Sequence, residues 1–382
     1  MSGGKQSKIL FEGRGWKFKL DPFAHAAVAK LLGNTIWGTK GGIRYSHTEG
    51  LRKVQELTNS SYITLWREDE IRACVGFVQK PLCLKDQTLP AYYIRYLAVA
   101  ASWQSQTQAG VVRQAKETQK AGNRLFRKKL AQVFTDQAYW RYEGRDTQAA
   151  CFYAYVVMDN DRSANLVLSN GFRALRSFRT MVFSRFKPKR SPKVRKIKAS
   201  EKAKIEAQLQ SFYQDYSYPK EDLRIQHDYY VWEEQGEMIA GVQAQPIKWR
   251  IEEIPGLVGR LAMRFLPKIG FLRRILNPED FRFVGLDALY YRDKAKHILP
   301  QLYEHVLADQ GLYVSMIWLD DQTDLYRDYL SIPKGEKGFL SRVVQGNGAA
   351  KVFFRSDEEH LGAGLAERLS TMPHYIAVGD VS

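Results

Sequence analysis

The stretch from Asn160 to Phe172, Asn-Asp-Arg-Ser-Ala-Asn-Leu-Val-Leu-Ser-Asn-Gly-Phe, constrains this chain most. It lies between two apolar runs, Ala149 to Met158 and Ala174 to Phe186. The order reads as strand, polar turn, short helix, stop, strand. Asn160 or Asp161 can cap the helix, because a short polar side chain accepts the free N–H groups of a first turn. Gly171 ends it, because a left-handed residue after a helix costs least without a Cβ. Leu166 and Leu168 are the apolar positions available to anchor the helix to a sheet. This grammar predicts a mixed α/β fold.

At 382 residues and 44.0 kDa the chain is long enough for two domains of roughly 150–200 residues. Hydrophobic residues at 45% and aromatic residues at 13% argue against disorder. No apolar run approaches the roughly 20 residues that span a bilayer. Met1 to Lys8 is polar and lacks the apolar centre of a signal peptide, so the expected location is cytoplasmic. Cys74, Cys83 and Cys151 are widely spaced and read as small buried hydrophobes rather than disulfide partners or zinc ligands. The histidines form no HExxH pattern, and no metal site is expected. There is also no Gly-x-Ser-x-Gly elbow and no Walker loop. Lys+Arg 58 against Asp+Glu 41 gives a net charge of +17, a field that favours polyanionic partners and equally serves solubility.

Along the chain, Pro22 to Leu32 reads as a helix capped by Asp21 and stopped by Gly33. Strands follow near Ser61–Arg67, Ile71–Leu84 and Ala91–Ala100, then a Gln-rich loop from Ser102 to about Thr118. Leu125, Phe126, Leu130, Val133 and Phe134 mark a helix with a basic outer face. Lys187 to Lys198 is dense in like charge and holds two prolines. It reads as a linker, or a linker running into an edge strand, and divides the chain into residues 1–190 and 191–382. A nucleic-acid arm would look similar, but no aromatic residues interleave for base stacking. The second half repeats the order of elements loosely, with Asp320-Asp321 standing where Asp159-Asn160 stands in the first. That implies an internal duplication at about 160 residues.

The Asn-x-Arg-Ser…Gly-Phe string of Asn160–Phe172 resembles the signature near the end of the GNAT superfamily of N-acetyltransferases. The resemblance covers about residues 60–185 and fades over 200–382, which looks like the degenerate partner of a tandem GNAT protein. It implies transfer of an acetyl or similar acyl group from acetyl-CoA to a primary amine by direct attack in a ternary complex. The acceptor, whether small molecule or peptide, would enter between the halves. In the family, backbone N–H groups at a strand-to-helix turn hold the cofactor diphosphate with an Arg/Gln-x-x-Gly-x-Gly/Ala pattern. Gln119, Ala121, Gly122, Asn123 and Arg124 occupy that pattern here, with Arg124 replacing the last small residue. Leu97 and Val99 match the Leu-x-Val whose backbone, splayed by a bulge, pairs with the pantetheine arm. Asn160 would contact the cofactor and cap its helix.

The family's proton-donating Tyr falls on Val167 here, and Ala91–Ala100 holds no carboxylate. Tyr93, Tyr96 and Tyr155 are the remaining proton-transfer candidates, though each reads more readily as a packing residue. These departures keep a non-catalytic acyl-CoA-binding module open. Ile254–Leu276 is apolar with Arg260, Arg264, Lys268, Arg273 and Arg274 interspersed. Pro267 and Gly270 should break it into two short helices, forming either a lid over the inter-domain groove or a membrane-surface contact. An adaptor for membrane or nucleic acid is the third reading. The acceptor, the acyl chain and the oligomeric state are left open by the sequence.

Overall fold

The computed structural model describes residues 7–39, 41–48, 52, 54–55, 57, 59–85, 87–100, 113–135, 151–292, 295–343, 348–356 and 364–381. The strands of the first half are β1 (Lys8–Gly13), β2 (Trp16–Asp21), β3 (Arg44–His47), β4 (Ser60–Arg67), β5 (Glu70–Gln79), β6 (Leu82–Leu84), β7 (Gln87–Leu89), β8 (Ala91–Val99), β9 (Cys151–Val157) and β10 (Arg173–Ser184). Those of the second are β11 (Val194–Lys196), β12 (Tyr218–Pro219), β13 (Asp228–Glu234), β14 (Glu237–Glu253), β15 (Phe281–Tyr291), β16 (Val314–Asp320) and β17 (Ala349–Ser356). The helices used below are α1 (Ala26–Gly33), α2 (Arg113–Thr135), α3 (Asp161–Ser169), α4 (Lys202–Phe212), α5 (Gly256–Phe265), α6 (Gly270–Arg273), α7 (Leu299–Gln310), α8 (Asp324–Ser331) and α9 (Leu365–Thr371).

Tight turns generate the antiparallel pairs. Gln235-Gly236 joins β13 to β14 with both residues at positive φ (53° and 79°), the two-residue turn whose twist matches that of the strands it connects. Among the described residues two strand pairs are parallel, β8 with β9 and β15 with β16, and each needs a crossover. Helix α2 supplies the first and α7 the second. The sequence drives both onto the sheet. Phe126, Leu130 and Val133 of α2 are buried against Phe18, Phe77 and Phe152, while α7 buries Leu299, Leu302, Tyr303, Val306 and Leu307. Each such side chain contributes about 1.5–3 kcal/mol of transfer free energy.

Among the described residues one sheet runs through the molecule in the order β1-β2-β4-β5-β8-β9-β17-β10-β16-β15-β14-β13-β11, with β3 pairing β14. The run β4-β5-β8-β9 and the run β13-β14-β15-β16 have the same pairings in the same chain order, antiparallel, antiparallel, parallel. Between them the halves exchange strands. β17, from the end of the chain, lies between β9 and β10, and β10 lies between β17 and β16.

Several expectations shift. Asp21 does not cap a helix: it belongs to β2 and accepts from Thr64 Oγ1 at 2.7 Å, while α1 starts at Ala26. The basic linker ends in the short edge strand β11. His374 makes an isolated bridge with Ser217. The largest correction concerns Gln119, Ala121, Gly122, Asn123 and Arg124. They lie inside α2, which extends back to Arg113 through residues expected to be loop. Gln114, Ala115, Lys116, Glu117, Gln119 and Lys120 are good helix formers, and one interior Gly costs only about 1 kcal/mol against them.

Candidate functional site

The site begins with a bulge. Cys74 of β5 faces Ala98 of β8, and Gly76 faces Arg95, so β8 carries one more residue than β5 between these pairs. Tyr96 takes up the excess in the left-handed region, φ 59°. That conformation costs a residue with a Cβ roughly 1–2 kcal/mol. Beyond the bulge β8 stays with β5, while β9 stays with β17 as far as Val157. The β8–β9 pairing therefore runs only from Ala91↔Cys151 to Ile94↔Ala154. The two parallel strands part there, and the backbone of Arg95–Val99 borders the opening. Leu97 and Val99 lie on the splayed end of β8, just past the bulge.

The two faces of the opening differ, as alternation along a strand requires. Tyr92, Ile94, Leu97 and Val99 belong to the cluster beneath α2, together with Ala164, Leu166 and Val167 of α3. Asn160 caps α3, its Oδ1 accepting from Ser163 N at 3.1 Å, and Gly171 follows the helix at φ 80°. Yet α3 buries none of its side chains fully. Leu168, expected as an anchor, is 51% exposed, and Val157 and Met158 just before the cap are also exposed. An apolar margin thus surrounds the mouth on this side.

The opposite face is polar and closed by the last part of the chain. Tyr93 Oη donates to Asp380 O at 2.8 Å, and Arg95 Nη1 donates to Gly379 O at 2.9 Å. Lys80 Nζ lies 2.7 Å from Asp222 and 2.6 Å from Asp380. Burial alone would lower the Lys80 pKa, but the two carboxylates more than reverse it and the ammonium is retained. Asp222 is pushed upward by burial and by the charge of Asp380, against the pull of Lys80. Tyr155 Oη is 3.0 Å from His374 Nε2, and His374 Nδ1 is 2.7 Å from Ser217 Oγ. Burial, opposed by Asp380 and aided by Arg176, takes the His374 pKa down to about 4, so its ring is neutral. His374 N donates to Asp320 Oδ2 at 2.9 Å, and Arg176 holds Asp320 with its guanidinium.

The three tyrosines singled out from the sequence therefore differ. Tyr93 and Tyr155 are committed to internal hydrogen bonds, and burial raises both pKa values well above 10.0. Tyr96 sits on the bulge, its ring 4.1 Å from the Arg95 guanidinium and 5.8 Å from the Trp37 ring. Lys80, Asp222, Ser217, His374 and Asp380 were not foreseen. The one signal was a Lys set directly before Pro81 at the end of an apolar run.

The second half carries the same bulge. Gly241 faces Tyr290 and Gln243 faces Asp287, so β15 has the extra residue, and Ala288 takes it up at φ 46°. Here the opening is sealed. Ala288 N donates to Tyr375 Oη at 3.0 Å and to Asp287 Oδ1 at 3.0 Å, and Asp287 also accepts from Tyr375 and from Val378 N. A cavity of about 20 Å³ is left, lined by Tyr213, Tyr216, Asp287, Trp318, His374 and Tyr375, which is room for about one water. Among the described residues no group of three or more His, Cys, Asp and Glu is placed to hold a metal ion, and no helix is long and apolar enough to cross a membrane.

No protein-family model and no curated protein matches the sequence. Solved structures do match. Saccharomyces cerevisiae N-myristoyltransferase with bound myristoyl-CoA aligns at a TM-score of 0.50 and 12% identity, over 91% of this chain and 80% of that one. A GCN5-related N-acetyltransferase from Anabaena variabilis aligns at a TM-score of 0.46 and 9% identity, over 89% of this chain and 72% of that one. The chain has a GNAT-type α/β fold, laid out among the described residues on one continuous sheet in which the pairings of β4-β5-β8-β9 recur in β13-β14-β15-β16.

Proposed function

We propose that this protein transfers an acyl group, acetyl or longer, from acyl-CoA to a primary amine. The observation that carries the reading is the parting of β8 and β9 after Ile94 beside a bulge at Tyr96, with an apolar margin left uncovered at Val157, Met158 and Leu168. The exposed edge of Leu97–Val99 would pair with the pantetheine arm as an added strand. A backbone N–H of the bulge would take the negative charge that develops on the thioester oxygen as the amine attacks. The diphosphate belongs not at Gly122 but toward the N-terminal end of α2, where helix amides favour anions. Gly122 lies nine residues beyond Arg113, about 13 Å along the axis. Its own N–H is in the helix interior. The amine would enter from the face lined by Tyr93, Tyr155 and the chain end, so that residues 1–190 carry acyl-CoA and residues 191–382 shape the acceptor side. Attack releases CoA as the thiolate, which takes up one proton while the amine gives one up. Tyr96 is the candidate for that exchange, since its hydroxyl makes no hydrogen bond among the described residues.

A second reading, a protein that binds acyl-CoA without turning it over, is favoured by Val167, which packs against the core where the family carries its proton-donating Tyr. Thiol release separates the two. Acyl-CoAs from acetyl to myristoyl are offered with a panel of peptide and small-molecule amines. Amine-dependent release supports transfer, and saturable binding without release supports the second reading. Absence of both removes the proposal.

A further inference from the structure

We propose that α5 and α6 dock this protein onto an anionic lipid bilayer. Helix α5 is apolar on two opposite faces. Its inner face packs on β14: Ala262 and Met263, with Leu266 just beyond the helix, join the cluster around Trp249 and Phe283, and Gly259 is so close that an added Cβ would lie 2.6 Å from Ile254. At about 100° per residue, Leu257, Leu261 and Phe265 fall on the other side. They are 66%, 46% and 48% exposed. Ile269 and Phe271, at 42% and 59% exposed, continue this surface. The Phe271 ring lies 5.7 Å from that of Phe186, itself exposed. A surface helix normally turns polar residues outward, so an outer apolar stripe marks a face that something covers.

The charge identifies the cover. Arg260 and Arg264 flank the stripe on α5, and Lys268, Arg273 and Arg274 follow, all exposed. No Asp or Glu occurs between Glu253 and Glu279, and none of the five cations enters an ion pair among the described residues. A second copy of the chain would set these cations against one another. A nucleic acid would leave the leucines and phenylalanines against charged phosphates. An anionic bilayer meets both needs, with headgroups for the cations and the headgroup–acyl boundary for the apolar stripe.

The test is co-sedimentation of the full chain with phosphatidylcholine vesicles, with and without phosphatidylglycerol. Binding is expected only when the anionic lipid is present. Arg260→Glu with Arg264→Glu should weaken it on the order of tenfold or more, since each cation at such a surface contributes about a fivefold factor. Leu261→Asp with Phe265→Asp should abolish it, with thermal unfolding unchanged because both side chains point outward. Leu261→Trp, which keeps the face apolar, should retain binding and be quenched by brominated phosphatidylglycerol. Equal binding to neutral and anionic vesicles, no binding to either, or an effect of the Asp substitutions on self-association rather than on sedimentation would overturn the proposal.

Discussion

The two bulges, at Tyr96 and at Ala288, are the same device put to different ends. Both follow an antiparallel hairpin, both sit on the strand that precedes a helical crossover, and both lie beside a parallel pair that parts. At the second, the chain's own groups answer every demand: Asp287 and Tyr375 take the freed amide, and α8 buries Leu325 and Tyr329 beside it. At the first, the position of Asp287 is taken by Arg95, and α3 leaves its side chains half-buried or exposed. The difference separates an opening that the described residues leave uncovered from one that they fill. A polar backbone edge with an apolar margin is unfavourable unless something fills it. The sealed copy shows what filling it permanently looks like. The segment from His374 to Asp380 ties the two together, held by Asp287 at one bulge and by Arg95 and Tyr93 at the other.

If the halves are joined in this way, separating them should have the largest effect. Residues 1–190 alone lack β17, so β9 and β10 lose the strand between them. This fragment should show no cooperative thermal transition, and a sharp one would make the halves independent bodies. Next in size is Arg176→Ala, which takes from buried Asp320 its guanidinium partner where the second half meets the first. Denaturant melts should record a loss of about 3–5 kcal/mol. A loss below 1 kcal/mol would mean that this joint holds little.

The His374 ring gives a signed test in pH. Its pKa is about 4 when folded against an ordinary 6.5, so between these values the unfolded chain binds a proton that the native state does not. Stability is therefore unaffected above pH 6.5, falls as the pH drops through that window, and levels off below it, by up to roughly 3 kcal/mol. His374→Gln should remove that part of the slope, measured as the difference between the two proteins' urea stability curves from pH 4 to 7. An identical slope in both would place the ring in contact with water. The smallest effect should come from Tyr375→Phe, which takes one partner from Ala288 N and one from Asp287. It should cost about 1–3 kcal/mol and leave acyl-CoA affinity unchanged. Weakened affinity would put the ligand at the wrong bulge.

The Asn160–Phe172 segment was legible because its information is local: a cap, a stop and two flanking strands lie within a few residues of one another. The splayed strand at Leu97–Val99 was legible through the family resemblance, and the bulge is where that resemblance implied. The turn expected at Gly122 is absent because helix formers precede it for several residues and one Gly does not stop them. The closing of the polar face lay beyond sequence reasoning. Lys80 and Asp380 are 300 positions apart and Tyr155 and His374 are 219 apart, and no periodicity or motif links either pair. The strand exchange was hidden for the same reason, since β17 reads only as a late strand until its neighbours are known.

Hydrogen–deuterium exchange with and without a saturating acyl-CoA tests the central claim most directly, because it reads both bulges in one sample. Added protection is expected at residues 95–99 and at the N-terminal part of α2, with no change at 287–291, whose Ala288 amide is already held. Protection at 287–291 instead, or at neither, would contradict the account.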